Sequence, residues 1–192
     1  MAMPTQLSRG AVVQVRRLET IGGQSVAVPA ATGRTHLQFR RCAGSPICHL
    51  HLRSFAARHD EVAEAGITEV VFFHSPVEEL HGYQSMLPFA VIADPDKVQY
   101  RDFGVQARLR ALTHPRAWWA ASRGYAAALS HRKDPDRAGV GFADGTTHLP
   151  ADFLIDPDGT VVALHYGRHA DEQWSVDQLL DIHRSLGREE SQ

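Results

Sequence analysis

The stretch that most constrains this chain is Thr68-Glu-Val-Val-Phe-Phe-His74, a run dense in β-branched and aromatic residues that reads as a strand. Helical patterns bracket it, joined to it by short turns. Upstream, Leu50, Phe55, Ala56, Val62 and Ala63 predict a helix from about Pro46 to about Ala65, closed by Gly66 as its C′ residue. Downstream, Ser75-Pro-Val-Glu-Glu79 predicts a helix start, with Ser75 as N-cap, Pro76 in the first helical position and Glu78 completing a capping box. That helix extends to about Met86. Thr35–Arg40 and Phe89–Ala93 predict two more strands, and Lys97–Phe103 a short helix stopped by Gly104. Strands and helices alternating through short turns predict right-handed crossovers in a parallel sheet.

Around this core the signals change. Val12, Val13 and Val15 predict a short strand, Gly22-Gly23 a turn and Ser25–Val28 a second strand, together an N-terminal β-hairpin beside the main sheet. Residues 105–148 carry Trp118, Trp119, Tyr125 and the arginines Arg108, Arg110, Arg116 and Arg123, with breaks at Pro115 and Gly124. This predicts a helical insertion packed on the sheet edge, a lid or an oligomer contact. Phe153-Leu-Ile155, Asp156-Pro-Asp-Gly159 and Thr160–His165 form a strand–turn–strand pattern, and Asp171–Leu186 a closing helix with Val176, Leu179, Leu180 and Ile182 on one side. The expected fold is α/β: a thioredoxin-like three-layer αβα domain over residues 10–186 with a mixed central sheet. Residues 1–9 and 187–192 are expected to be flexible tails.

Composition narrows the function. A chain of 192 residues, 43% hydrophobic and 22% charged, suits one globular domain with a sizeable core. A formal net charge of -2 gives no basis for binding nucleic acid or an anionic membrane. No apolar run approaches the roughly 20 residues of a membrane helix, and the N-terminus lacks the apolar region of a secretory signal. Two cysteines, Cys42 and Cys48, are too few for a disulfide framework. A reducing, cytoplasmic setting and a chemical role for a thiol fit better, against the plainer alternative that both are packing groups.

Cys48 is the leading candidate. It follows Gly44-Ser45-Pro46-Ile47, a turn out of a strand, and falls in the first turn of the predicted helix. Unpaired amides and the positive dipole end there favour a thiolate, which lowers a thiol pKa below its free value of about 8.5. Arg40 and Arg41, at the preceding strand end, can add positive charge. Such chemistry needs the sulfur at the open end of its helix, within reach of water. Ser45 can donate to the sulfur or to a peroxide, or cap the helix. Cys42 is the one internal candidate to resolve an oxidised Cys48, which requires Cα atoms within roughly 7 Å; an external thiol is the simpler partner. His49 and His51 flank the sulfur as a base or a charge, but neighbours on a helix diverge, so a zinc site with Cys48 is disfavoured. Asp156-Pro-Asp-Gly159 fits a turn rather than a calcium loop. No phosphate-binding or dinucleotide fingerprint is present, and no cofactor is expected.

The Leu37–Arg41 strand, the Ser45-Pro-Ile-Cys48 turn with its helix, Leu149-Pro150 and Phe153-Leu-Ile-Asp-Pro-Asp-Gly-Thr-Val161 resemble the peroxiredoxin-like, AhpC/TSA-type branch of the thioredoxin superfamily. The resemblance implies a thiol oxidoreductase that reduces a peroxide, or a disulfide or sulfenate partner, through Cys48 with an external thiol as reductant, and puts Ser45 in the family's Thr or Ser position. Arg41 stands where that family has a proline. Leu149, Pro150, Ala151 and Asp152 stand where it has an arginine beside the sulfur, leaving Arg40, Arg41 or Arg116 as substitutes. Pro150 resembles the cis-proline of thioredoxins, which implies that Gly44, Pro46, Leu149 and Pro150 contact a substrate. Ser45 in place of a first cysteine excludes ordinary dithiol exchange at this turn. The expected partners are peroxide or a protein or small-molecule thiol, with a thioredoxin- or glutathione-like reductant and a homodimer open. The alternatives are a redox-inactive thioredoxin-fold module that binds protein through the Pro150 region, and a chaperone acting through a glutathione mixed disulfide.

Overall fold

The structure, a computed structural model, describes residues 5–41, 46–105, 149–169 and 171–189. Its centre is a five-stranded sheet in the order β5-β4-β3-β6-β7, where β3 is Arg34–Phe39, β4 Ile67–Phe73, β5 Ala90–Ala93, β6 Ala151–Ile155 and β7 Val161–Tyr166. Strands β3, β4 and β5 run parallel, with Leu37 opposite Val70 and Val71 opposite Val91. The hairpin β6–β7 joins antiparallel through β3, placing Phe153 opposite Leu37. This is the mixed sheet of the thioredoxin-like fold.

Period-2 alternation along the central strands sorts side chains to two faces. On one face Leu37, Phe39, Val70, Phe72 and Phe153 form a core with Tyr100 and Phe103, which come from and just after helix α4, Val98–Asp102. Leu18, Val26 and Val28 of the N-terminal hairpin, β1 (Arg16–Glu19) and β2 (Ser25–Val28), pack on this face. The other face carries helices α1 (Pro46–Ala57), α2 (His59–Glu64), α3 (His81–Met86) and α5 (Val176–Glu189). Leu52, Val71, Phe73 and Tyr83 pack there, as do Phe55, Val62, Leu154, Trp174 and Leu179. The expected helices of residues 107–132 lie outside the described residues.

Three local expectations change. Val12, Val13 and Val15 are not the first hairpin strand, which starts at Arg16. This segment instead follows the turn before β7: Val12 bridges Thr160, and the Val13 amide donates to the Gly159 carbonyl at 2.9 Å. The helix predicted from Pro46 to Ala65 breaks at Arg58, whose φ of -122° is not helical. At the break Arg58 pairs with Glu61 and with Asp177 of α5, and His59 reaches Glu69 on β4. The capping box at Ser75 does not form. Residues Val77–Glu79 make a 3₁₀ turn whose N-cap is Pro76, in extended conformation and without a side-chain cap bond. Gly66 does follow α2 with a positive φ of 78°, as a C′ glycine should. Its carbonyl crosses Gly33, where a Cβ would sit 2.2 Å away and φ is +67°, so glycine is required there.

Candidate active site

Cys48 is the third residue of α1, so its expected place in the first turn of the helix that follows a central strand holds. Pro46 opens the helix, where its missing N–H costs nothing. The exposure expected of the sulfur does not hold: Cys48 is buried, 1% exposed. None of the hydrogen bonds among the described residues ends on its sulfur. Helix α1 turns this side chain inward, together with Leu52 and Phe55, both fully buried. Positions three, four and seven residues on share a face with Cys48, so the burial follows from helix periodicity.

Beneath α1 lies a set of polar groups that the sequence reading missed. His36, Gln38 and Arg40 alternate along β3 and its end, and all three are fully buried on the α1 face. Arg40 Nη2 donates to Asp152 Oδ1 at 2.7 Å and to Gln38 Oε1 at 2.7 Å. His51 Nε2 lies 3.1 Å from the same nitrogen. Asp152 also accepts from His36 Nε2 at 3.2 Å and from the Trp174 amide at 3.2 Å. Gln38 Nε2 donates to Glu69 Oε1 at 3.3 Å, and the other Glu69 oxygen meets His59 Nδ1 at 2.8 Å. A continuous polar chain therefore runs from His59, at the α1–α2 break, to His51, one turn beyond Cys48. The signal available in the sequence was the period-2 polar alternation in an otherwise apolar central strand.

The charges in this chain are fixed by burial and by one another. Burial alone would raise the Asp152 carboxyl; the Arg40 charge and the hydrogen bonds from His36 and Arg40 overcome it and hold the group well below the usual carboxylate range. Burial dominates at His36 and lowers it. Burial, then the Arg40 charge, lowers His51 strongly. Both rings are thus neutral near pH 7. Burial pushes Glu69 up to about 7, against the pull of His59 and Arg40.

These shifts predict a pH dependence of stability with opposed signs. Glu69 is raised above its ordinary 4.5, so its contribution is full below about pH 4.5 and is lost as pH rises through about 7. At roughly 1.4 kcal/mol per pKa unit the loss is about 3 kcal/mol. His36 and His51 are lowered, so their contribution is present above the ordinary 6.5 and fades as pH falls below it. Glu69→Gln removes the first effect alone. Urea unfolding of the two proteins should show the variant gaining about 3 kcal/mol on wild type between about pH 4.5 and 8. A pH-independent difference would refute the assignment.

Arg40 does not supply free positive charge to the thiol, because its guanidinium is committed to Asp152, Gln38 and His51. Arg41 is half-buried just past β3. His49 sets its ring against Tyr83 with centroids 6.0 Å apart. Leu149 and Pro150 are buried and line a cavity of about 260 Å³ with Gln6, Val105, Tyr166 and Gly167. The cis peptide bond among the described residues is Val28–Pro29, so Pro150 is trans and the thioredoxin-type cis-proline is absent. The Pro150 carbonyl already accepts from the Gly167 amide at 2.9 Å, which takes up backbone a binding partner would need. Cys42, Gly44, Ser45 and Arg116 lie outside the described residues.

Tyr100 of α4 is a further residue the sequence did not reveal. Its fully buried hydroxyl has the carbonyls of Arg40 and Phe72 within reach and shares its single hydrogen between them, tying together the ends of β3 and β4. Burial raises its pKa well above the usual tyrosine value, and the nearby Asp94 and Cys48 add to the shift. Among the described residues no cluster of three or more metal-ligating side chains occurs, and no described helix is long and apolar enough to cross a membrane.

Solved structures similar to this one include peroxiredoxins and a putative thiol:disulfide interchange protein, DsbE, of Chlorobium tepidum, with 17% identity and a TM-score of 0.58, covering 93% of this chain and 99% of its own. The peroxidoxin BcpB of Mycobacterium tuberculosis has 16% identity and a TM-score of 0.65, covering 94% of this chain and 99% of its own. The reduced 2-Cys peroxiredoxin of Plasmodium vivax has 15% identity and a TM-score of 0.66, covering 95% and 83%. A peroxiredoxin-like protein of Aquifex aeolicus has 13% identity and a TM-score of 0.62, covering 96% and 90%. At these identities the likeness establishes the fold. No curated protein sequence matches the chain. The sequence model of the AhpC/TSA antioxidant enzyme family matches residues 52–169, starting just beyond Cys48. That match spans more than half of the chain, which therefore belongs to the AhpC/TSA antioxidant enzyme family.

Proposed function

We propose that this protein reduces a peroxide through Cys48, with an external thiol as reductant. The supporting observation is the position of Cys48 in the first turn of α1 at the end of the central strand, in a chain of the AhpC/TSA antioxidant enzyme family. The Cys48 thiolate attacks one peroxide oxygen. The O–O bond breaks, an S–O bond forms, and the departing alkoxide or hydroxide takes a proton to leave as alcohol or water. Cys48 is then a sulfenic acid. A first external thiol, of thioredoxin or glutathione type, condenses with it, releasing water and leaving a mixed disulfide. A second thiol attacks the sulfur of the first, forms a disulfide with it and releases Cys48 as the thiolate. Ser45 serves as hydrogen-bond donor to the peroxide, Arg41 or Arg116 as the positive group beside it, and Cys42 as the internal alternative to the first thiol. Because Cys48 is only 1% exposed, a local opening precedes entry of the oxidant.

The same burial favours a second reading, a redox-inactive thioredoxin-fold module that binds protein and keeps Cys48 as a packing group. One measurement separates the two. The reduced protein is mixed with one equivalent of hydrogen peroxide and dimedone, and the Cys48 peptide is weighed by mass spectrometry. A dimedone adduct on Cys48, formed faster than the modification of an unfolded control, is expected for the enzyme. An unmodified thiol after prolonged exposure would leave only the binding module.

A further inference from the structure

The hydrogen-bond geometry at Arg40 carries an inference about how Cys48 is kept sealed. Arg40 Nη2 has two hydrogens and three acceptors within reach, Asp152 Oδ1, Gln38 Oε1 and His51 Nε2. Asp152 and Gln38 take the two hydrogens at 2.7 Å and His51 Nε2, at 3.1 Å, shares one of them in a three-centre bond; a guanidinium can only donate, so Nε2 is the unprotonated nitrogen and the ring proton resides on Nδ1. Asp152 and Gln38 belong to the sheet, at β6 and β3. His51 alone of the three belongs to α1. It stands three residues from Cys48, on the same side of the helix. This single bond therefore connects the segment bearing the thiol to the fully buried Arg40–Asp152 pair.

We propose that His51 is the positioning residue for Cys48: by accepting from Arg40 it latches the start of α1 onto the sheet, and protonation of its ring releases the latch and admits solutes to the thiol. A protonated His51 has no lone pair for Arg40 and sets a second positive charge about 3 Å from the first. The groups facing it are Arg40 at the end of β3, Asp152 on β6, His36 on β3 and, from α1 itself, the Phe55 ring with its centroid 5.0 Å away. Asp152 offers no sufficient counter-charge, because Arg40, His36 and the Trp174 amide already occupy it. The latch thus opens as pH falls, with His51 strongly resistant to protonation in the closed form. This inference deepens the peroxide-reducing reading by naming what governs entry to its thiol, and its test does not use peroxide.

The test measures the rate at which 4,4′-dithiodipyridine modifies Cys48, read site-specifically by mass spectrometry from about pH 5 to pH 8, in wild type, His51→Gln and His51→Leu. Glutamine keeps an acceptor that does not titrate; leucine removes the acceptor. The reagent's own pH dependence is the same in all three and cancels in the ratios. Wild type and His51→Gln should react alike at pH 8, with wild type becoming tenfold or more faster near pH 5. His51→Leu should exceed wild type tenfold or more already at pH 8. A ratio of wild type to His51→Gln that stays flat with pH, or a His51→Leu thiol as slow as wild type, would overturn the latch. So would hydrogen exchange in which β4 opens together with α1 at pH 5, because that is global unfolding. If the latch behaves as expected while no sulfenic acid forms with peroxide, the functional reading fails and the latch stands.

Discussion

Cys48→Ser is expected to abolish peroxide consumption, lowering kcat/KM by several orders of magnitude to the background of peroxide with the external thiol alone. Sulfur is the group that accepts oxygen in the proposed reaction; a serine hydroxyl is neither ionised near neutral pH nor able to be oxidised to the equivalent of a sulfenic acid. The site complicates the serine variant, because Cys48 is 1% exposed and a new hydroxyl without a partner costs about 1–3 kcal/mol. Cys48→Ala is therefore the companion, since it removes the sulfur without adding a polar group. Both variants should retain native circular dichroism and lose turnover in a coupled thiol-oxidation assay. Cys42→Ser should leave the first reduction of peroxide intact and slow only recovery, if Cys42 resolves Cys48. Turnover that survives in both Cys48 variants would relocate the chemistry to Cys42 and end the proposed assignment.

The sequence made the scaffold of this site readable and left its interior hidden, for physical reasons. Strand β4 was legible because β-branched and aromatic residues are continuous from Val70 to Phe73. The start of α1 was legible because proline suits a first helical position and little else in a helix. These signals are local. Burial of Cys48 is not, since it depends on which side of α1 meets the sheet, and that is set by Leu52 and Phe55 packing on residues far away in the chain. The partnership of Arg40 with Asp152 spans 112 residues and leaves no trace in spacing. His36, Gln38 and Arg40 alternate as a polar edge would, and only the antiparallel pairing of β3 with β6 shows that this edge is interior. The capping box failed for the complementary reason: Ser75-Pro-Val-Glu is a sound local signal, but the backbone at Pro76 stays extended and the chain makes a 3₁₀ turn first.

That hidden interior is where substitution should cost most. Asp152→Ala is expected to destabilise the fold by about 3–5 kcal/mol, the usual result of removing one member of a fully buried ion pair. Both side chains of the Arg40–Asp152 pair are 0% exposed, with 2.7 Å between charged atoms. Without the carboxylate, the buried Arg40 guanidinium is left, among the described residues, with Gln38 and His51 as side-chain acceptors, and His36 and the Trp174 amide lose their acceptor. For a chain of this size the midpoint of thermal unfolding should fall by roughly 6–20 °C. The wild type should reproduce the effect in acid. The Asp152 carboxyl is held below its ordinary 3.8, so its stabilisation is present above that value and drains away as pH falls beneath it. Removing both charges isolates the cause. Arg40→Met with Asp152→Leu eliminates the unpaired cation and should recover most of the lost stability, since apolar replacements of buried pairs are often neutral or better. The double variant also lacks the latch donor, so its Cys48 should be modified rapidly at every pH while the protein remains folded. A double variant no more stable than Asp152→Ala would show that the loss comes from strand pairing or packing at β6 and not from the uncompensated charge of Arg40.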